Sequence, residues 1–329
     1  MHISLQALCG FWLLLYCSCG KKAPGDTSRS PDPPVPAGQP VYQADPTIFS
    51  YQGKYYLYGT DGAVPDQGIR VFISTDKKQW KLSSKSADGF AVRALESFGT
   101  RGFWAPQVWG ANGRFYMAYV ANEQIAIAAA DSPEGPFYVR DPLAFEKNID
   151  PYVFSDEDGK KYLYHVDITN GNKIYVAAIN DGFTAIDKQS RKLCITATDP
   201  WELVQASVVE GPTVIKHKSI YYLVYSANHF ESQQYAVGYA TAPSPWGPWT
   251  KAAGNPVLSM TNTGKPGSGH GDLFTDPDGT MYYVFHTHNS LNSVQPRRTA
   301  LVKASFVPTP GGADRLVMDV NSLFFLKME

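Results

Sequence analysis

Asp45, Asp150 and Glu210 each stand about eleven or twelve residues ahead of an aromatic, hairpin-like run. Five such runs recur, at residues 51–58, 109–119, 155–164, 215–225 and 275–285. Their upstream markers are, in order, Asp45-Pro46, Ala105-Pro106, Asp150-Pro151, Glu210-Gly211-Pro212 and Gly269-His270. Equal offsets predict equivalent places in a repeated unit, so the three carboxylates are expected at one central site. Carboxylates gathered there can give and take protons at a reacting bond. Phase separates them from Asp141-Pro142, Asp199-Pro200 and Asp276-Pro277, which read as turns.

The elements that must position these residues are strands. Asn112-Gly113, Asp158-Gly159 and Asp278-Gly279 mark tight hairpins, because these pairs tolerate positive φ. Gln52-Gly53-Lys54 and the weaker His217-Lys218-Ser219 occupy the same place in their units. A third extended segment follows each hairpin, at 69–75, 124–130, 173–179, 235–241 and 298–306, and a fourth strand closes the unit. Five repeats at a period of roughly 45–60 residues predict an all-β, five-bladed β-propeller with four antiparallel strands per blade. The marker residues open the innermost strands, where proline is tolerated because a first residue need not donate to the ladder.

Composition agrees. Aromatic residues make up 13% of the 329-residue chain, with 28 Gly and 24 Pro to cut the strands. A net charge of −1 argues against nucleic acid as a partner. Residues 5–16 are apolar but too short to span a bilayer, and Cys17-Ser18-Cys19-Gly20 follows. Residues 1–19 therefore read as a signal peptide of bacterial lipoprotein type with Cys19 acylated, although the basic leading region is missing. Residues 20–40 read as a disordered tether and 41–329 as the propeller. The expected location is the periplasm or the outer membrane of a bacterium, with the membrane touched only through the lipid. Cys9, Cys17 and Cys19 lie in the leader, which leaves Cys194 without a partner in the body and the fold dependent on its core.

Ala44-Asp45-Pro46-Thr47 followed by Gly53-Lys54-Tyr55-Tyr56-Leu57-Tyr58 resembles the opening of glycoside hydrolase family 43. Trp104-Ala105-Pro106, Ile149-Asp150-Pro151-Tyr152, Val209-Glu210-Gly211-Pro212 and Gly269-His270-Gly271 are similar to its later blocks, in register. The resemblance implies Asp45 as general base, Glu210 as general acid, and Asp150 as the group that orients Glu210 and raises its pKa. It implies inversion at the anomeric carbon, which requires the base and acid to stand roughly 6.5–9.5 Å apart to admit water. It also implies that His270 coordinates a calcium ion on the axis, structural or pKa-tuning rather than chemical. Trp104 is expected as a platform for a sugar's apolar face. Phe103, His229 and Phe230 are expected as pocket walls, and Arg297, rather than its neighbour Arg298, as a fork over the sugar hydroxyls.

The activity so implied is exo-hydrolysis of terminal pentosides, α-L-arabinofuranose or β-D-xylose, from plant cell-wall polysaccharide or oligosaccharide. Endo-acting arabinanase or xylanase chemistry and a non-catalytic sugar-binding propeller are the alternatives. A retaining fructan hydrolase fits less well, since Ile149 precedes Asp150 and Gly211 follows Glu210.

Overall fold

The computed structural model describes residues 37–86, 88–143 and 145–329. The expected signal segment, Cys19 and most of the tether lie outside these residues. Five sheets form the blades, each starting from an inner strand that carries one marker. Blade I pairs Gln43–Tyr51 with Lys54–Asp61, then Phe72–Ser74 and Gln79–Leu82. Blade II holds Trp104–Ala111, Arg114–Ala121 and Gln124–Ala130. Blade III runs Asn148–Ser155, Lys161–Asp167, Lys173–Ile179 and Ile186–Ile195. Blade IV runs Val209–His217, Ile220–Ala227, Ala236–Ala242 and Thr250–Lys251. Blade V runs Gly269–Thr275, Met281–Thr287, Arg298–Val307 and Arg315–Phe325.

Two details depart from the repeat. In blade II the place of an outer strand is taken by a single bridge, Ala129 to Tyr138. The extended segment expected at 69–75 divides at Val71: Gly68–Arg70 leaves the blade to pair with Phe90–Arg93, while Phe72–Ser74 stays.

Second strands are apolar on both faces because each face meets a different neighbour. Leu57 packs toward blade V with Phe274 and Val284, whereas Tyr56 and Tyr58 pack toward blade II with Val108 and Met117. The same alternation builds a cluster at every junction, so five interblade cores replace one central core. Polar clamps reinforce the junctions: Lys77 bonds Asp276 between blades I and V, and Lys216 bonds Asp156 (2.9 Å) between IV and III.

The ring closes with both ends of the described chain. Val41 donates to Leu326 O (3.0 Å), Thr299 donates to Val41 O (3.0 Å), and Leu326 donates to Thr299 O (3.1 Å). Gly38 and Met328 are also bonded, and Lys327–Met328 adds to blade I in parallel with Gln79–Trp80. Residues 37–40, expected as tether, are thus part of the propeller's seam. Leu326 is fully buried there. Leu326→Ala is expected to cost about 3 kcal/mol and to lower the melting temperature by calorimetry; an unchanged Tm would show that the seam does not bear on ring stability.

Candidate active site

Each inner strand carries a register shift at its marker, between Ala44 and Thr47, Trp104 and Gln107, Ile149 and Tyr152, Glu210 and Thr213, and Gly269 and Gly271. One residue in each bulge is left-handed: Asp45 (φ 48°), Ala105 (45°), Asp150 (50°), Gly211 (60°) and His270 (38°). Asp45 and Asp150 are therefore true equivalents, as the phase predicts. Glu210 is not their equivalent; Gly211 is. A Cβ at Gly211 would come within 2.8 Å of the His270 ring, so only glycine fits. The carboxylate of the fourth blade, Glu210, stands one residue earlier, in line with Ala44, Trp104 and Ile149.

That displacement sorts the side chains by depth. Ala44, Trp104, Ile149 and Glu210 line an open pocket of about 560 Å³ at the mouth, together with Asp45, Asp150 and His270. Below it, Asp45, Asp150 and His270 also cap an axial cavity of about 20 Å³, room for about one water. Two residues beyond each bulge stand Thr47, Gln107, Tyr152, Thr213 and Asp272. Thr47 donates to Asp272 (2.7 Å) and Thr213 to Gly271 O (3.0 Å), while Gln107 bonds both backbone groups of Val153, so neighbouring blades are joined around the axis.

Asp45 is surrounded by donors. Arg297 gives it two bonds, Nη1 to Oδ1 (3.0 Å) and Nη2 to Oδ2 (3.4 Å), and Thr60 Oγ1 donates to Oδ2 (2.6 Å). His270 Nδ1 and His286 Nδ1 each lie 3.3 Å from Oδ1. Burial alone would raise this carboxyl, but Arg297 first, then His270, hold it well below the usual carboxylate range. His286 is itself buried, and burial with the adjacent guanidinium pushes its pKa down to about 3, so it is a neutral ring.

Among the described residues, the side chains bonded to Glu210 carry no charge. Tyr235 Oη donates to Oε1 (2.8 Å) and Asn172 Nδ2 to Oε2 (2.7 Å). Burial and the neighbouring Asp150 raise its pKa to about 7. Asp150 accepts the Gly211 amide (3.0 Å), and burial and Asp45 raise it likewise to about 7. Asp150 thus raises Glu210, in the direction the resemblance implies, and is itself raised by burial and by Asp45.

The other expected residues divide. Trp104, His229, Phe230 and Arg297 line the pocket. Arg297 lies inward and Arg298 packs over Phe325 (4.0 Å), so alternation separates the pair as expected. The Arg297 guanidinium, however, is committed to Asp45 and sits over the Phe230 ring at 4.9 Å. Phe103, expected as a wall, is fully buried and stacked on Tyr119 (5.9 Å, 12°); it packs beneath the wall and does not reach the pocket. Thr60, Asn172, Tyr235 and His286 are site residues that the repeat does not flag.

His270 offers the axis one imidazole, with Nδ1 3.3 Å from Asp45 and 3.9 Å from Asp150. Among the described residues no group of three or more His, Cys, Asp or Glu is arranged to hold a metal ion. Calcium takes six to eight oxygens, so an ion at this place would be held by the His270 ring alone, with water completing its shell.

Residues 37–308 match the family model of the glycosyl hydrolases of family 43. The chain belongs to this family. It is a glycoside hydrolase built on the family's propeller, and solved structures are similar over its length. A crystal structure described as an endo-1,4-β-xylanase of Bacteroides thetaiotaomicron superposes with a TM-score of 0.81 at 40% identity, covering 88% of this chain and 98% of that one. A β-D-galactofuranosidase of Aspergillus niger is 26% identical over 281 residues, 78% of this chain and 77% of that protein. A xylosidase/arabinosidase of Humicola insolens is 24% identical over 75% of this chain, which spans 48% of that relative.

Removing the guanidinium should leave burial as the dominant influence on Asp45. With Asp45 in the role of base that the resemblance implies, Arg297→Ala is expected to move the acid limb of the kcat/KM profile upward by roughly 1–3 units. An acid limb left in place would show that Arg297 does not hold Asp45 in its charged form.

Proposed function

We propose that this family 43 hydrolase removes terminal pentosides, α-L-arabinofuranose or β-D-xylose, from plant cell-wall polysaccharide or its fragments, with inversion. The observation that carries the reading is the split between carboxylates of one pocket: Asp45 held ionised by Arg297, and Glu210 raised to about 7. An ionised Asp45 takes a proton from water as its oxygen attacks the anomeric carbon. Glu210 gives its proton to the glycosidic oxygen as the carbon–oxygen bond breaks. Asp150, bonded to the Gly211 amide beside Glu210, keeps the acid protonated near neutral pH. Trp104 and Phe230 offer apolar faces to the sugar ring.

The sugar class is supported by the Humicola insolens xylosidase/arabinosidase, and exo action by a pocket with an axial floor. Endo action is the second reading, favoured by the 40% identity to the endo-1,4-β-xylanase structure. Xylan and arabinan oligomers distinguish them: monosaccharide as the sole early product supports exo action, and mixed oligomers overturn it. Proton NMR of the first-formed anomer tests inversion. Export with a lipid on Cys19 is part of the same proposal.

Glu210→Gln is expected to lower kcat at least about 100-fold on pentosides with poor leaving groups, and far less on activated nitrophenyl pentosides, which need no proton. Equal losses on both would remove Glu210 from the acid role. Asp45→Asn is expected to be inactive on both while retaining ligand binding; substantial turnover would remove it as base.

A further inference from the structure

We infer that Tyr235 is a positioning residue that ties the acid to the base and sets the acidity of Glu210, a role that rests on the functional reading above. Its hydroxyl is bonded to Glu210 Oε1 at 2.8 Å, and its ring is fully buried, stacked on His286 with centroids 5.7 Å apart and 13° between planes. His286 in turn faces the base: its Nδ1 lies 3.1 Å from the Asp45 amide and 3.3 Å from Asp45 Oδ1, and its Nε2 lies 3.3 Å from Arg297 Nη1. One stacked pair thus touches the acid at one end and the base with its guanidinium at the other.

The fifth blade makes room for this arrangement. Gly269 occupies the bulge position held elsewhere by Ala44, Trp104, Ile149 and Glu210. A Cβ there would lie 2.3 Å from the Tyr235 ring. Tyr235, from the chain just before the third strand of blade IV, fills the volume that blade V leaves open. Glycine at this repeat position is thereby a steric requirement of the tyrosine.

The chemical consequence follows from the donors on Glu210. Tyr235 serves Oε1 and Asn172 serves Oε2, so each oxygen already accepts one bond. As the acidic proton departs toward the glycosidic oxygen, charge grows on a carboxylate that both donors stabilise. A hydrogen bond to a charged acceptor is the strong kind, and its removal makes Glu210 a weaker acid.

Tyr235→Phe keeps the ring, the stack and the fit against Gly269 while deleting the hydroxyl. On pentosides with poor leaving groups kcat is expected to fall about 10-fold or more, the effect of one charge-assisted bond, with KM within about twofold. The alkaline limb of kcat/KM is expected to rise by about one unit, since the ionised form loses a donor. Activated nitrophenyl pentosides should lose little. Gly269→Ala, which displaces the ring but leaves the phenol intact, is expected to reproduce the leaving-group dependence. An unmoved alkaline limb in Tyr235→Phe, or equal losses on good and poor leaving groups, would overturn the role. Glu210→Gln measured alongside separates the two readings. If it shows leaving-group dependence and Tyr235→Phe does not, only the tyrosine's role fails; if neither does, the acid assignment fails with it.

Discussion

The site depends on a backbone constraint, the left-handed residue at the start of every inner strand. At Asp45, Ala105, Asp150 and His270 a residue with a Cβ is held at positive φ, a conformation that costs of order 1–3 kcal/mol where it is strained. Bonds at the bulges oppose that cost: Ala105 N donates to Thr60, Asp45 N faces His286, Gly211 N donates to Asp150, and His270 N donates to Ser226. Each of these amides finds its partner in a side chain rather than in the ladder. The bulge thereby frees a peptide to hold a functional group, and it turns the following strand down the axis. Without it, alternation would send Asp45 and Asp150 into the interblade cores.

The same constraint explains why Asp45 and Glu210 are chemically unlike. A carboxylate on the left-handed residue lies deep, between the mouth and the axis, within reach of the histidines and Arg297. One residue earlier, Glu210 lies among loop donors that carry no charge, Tyr235 and Asn172. A single-residue displacement, allowed by Gly211, changes what a carboxylate meets more than any change of residue type could.

This account also shows what the sequence carries and what it hides. The five blades, the hairpin turns and the three carboxylates are legible because they repeat: turn chemistry and the marker phase give the same message at each copy. The one-residue offset of Glu210 is visible only as the extra glycine in Glu210-Gly211-Pro212. The supporting residues do not repeat. Asn172 and Tyr235 reach the site from loops between second and third strands, whose paths no periodicity fixes. Thr60 and His286 leave a fainter trace, as polar residues at the mouth ends of otherwise apolar second strands. Phe103 beside Trp104 misleads for a simple reason: neighbours in extended chain face opposite ways. The division at Val71 escapes because both halves are strand, and only tertiary pairing assigns them to different sheets.

Charge balance gives the last link between burial and chemistry. Asp45, Asp150 and Glu210 all lie below one-tenth exposure, where an uncompensated carboxylate is costly. Arg297 bonds one of the three, Asp45. His286, neutral because it is buried against that guanidinium, cannot supply a second positive charge. Of these three, Asp45 is held firmly ionised, while Asp150 and Glu210 are each raised to about 7. Which carboxylate is held ionised and which is raised is decided less by the carboxyl groups than by where the guanidinium touches. Because Asp45 comes from the first blade and Arg297 from the segment entering the third strand of the last, that decision is made across the seam where the ring closes.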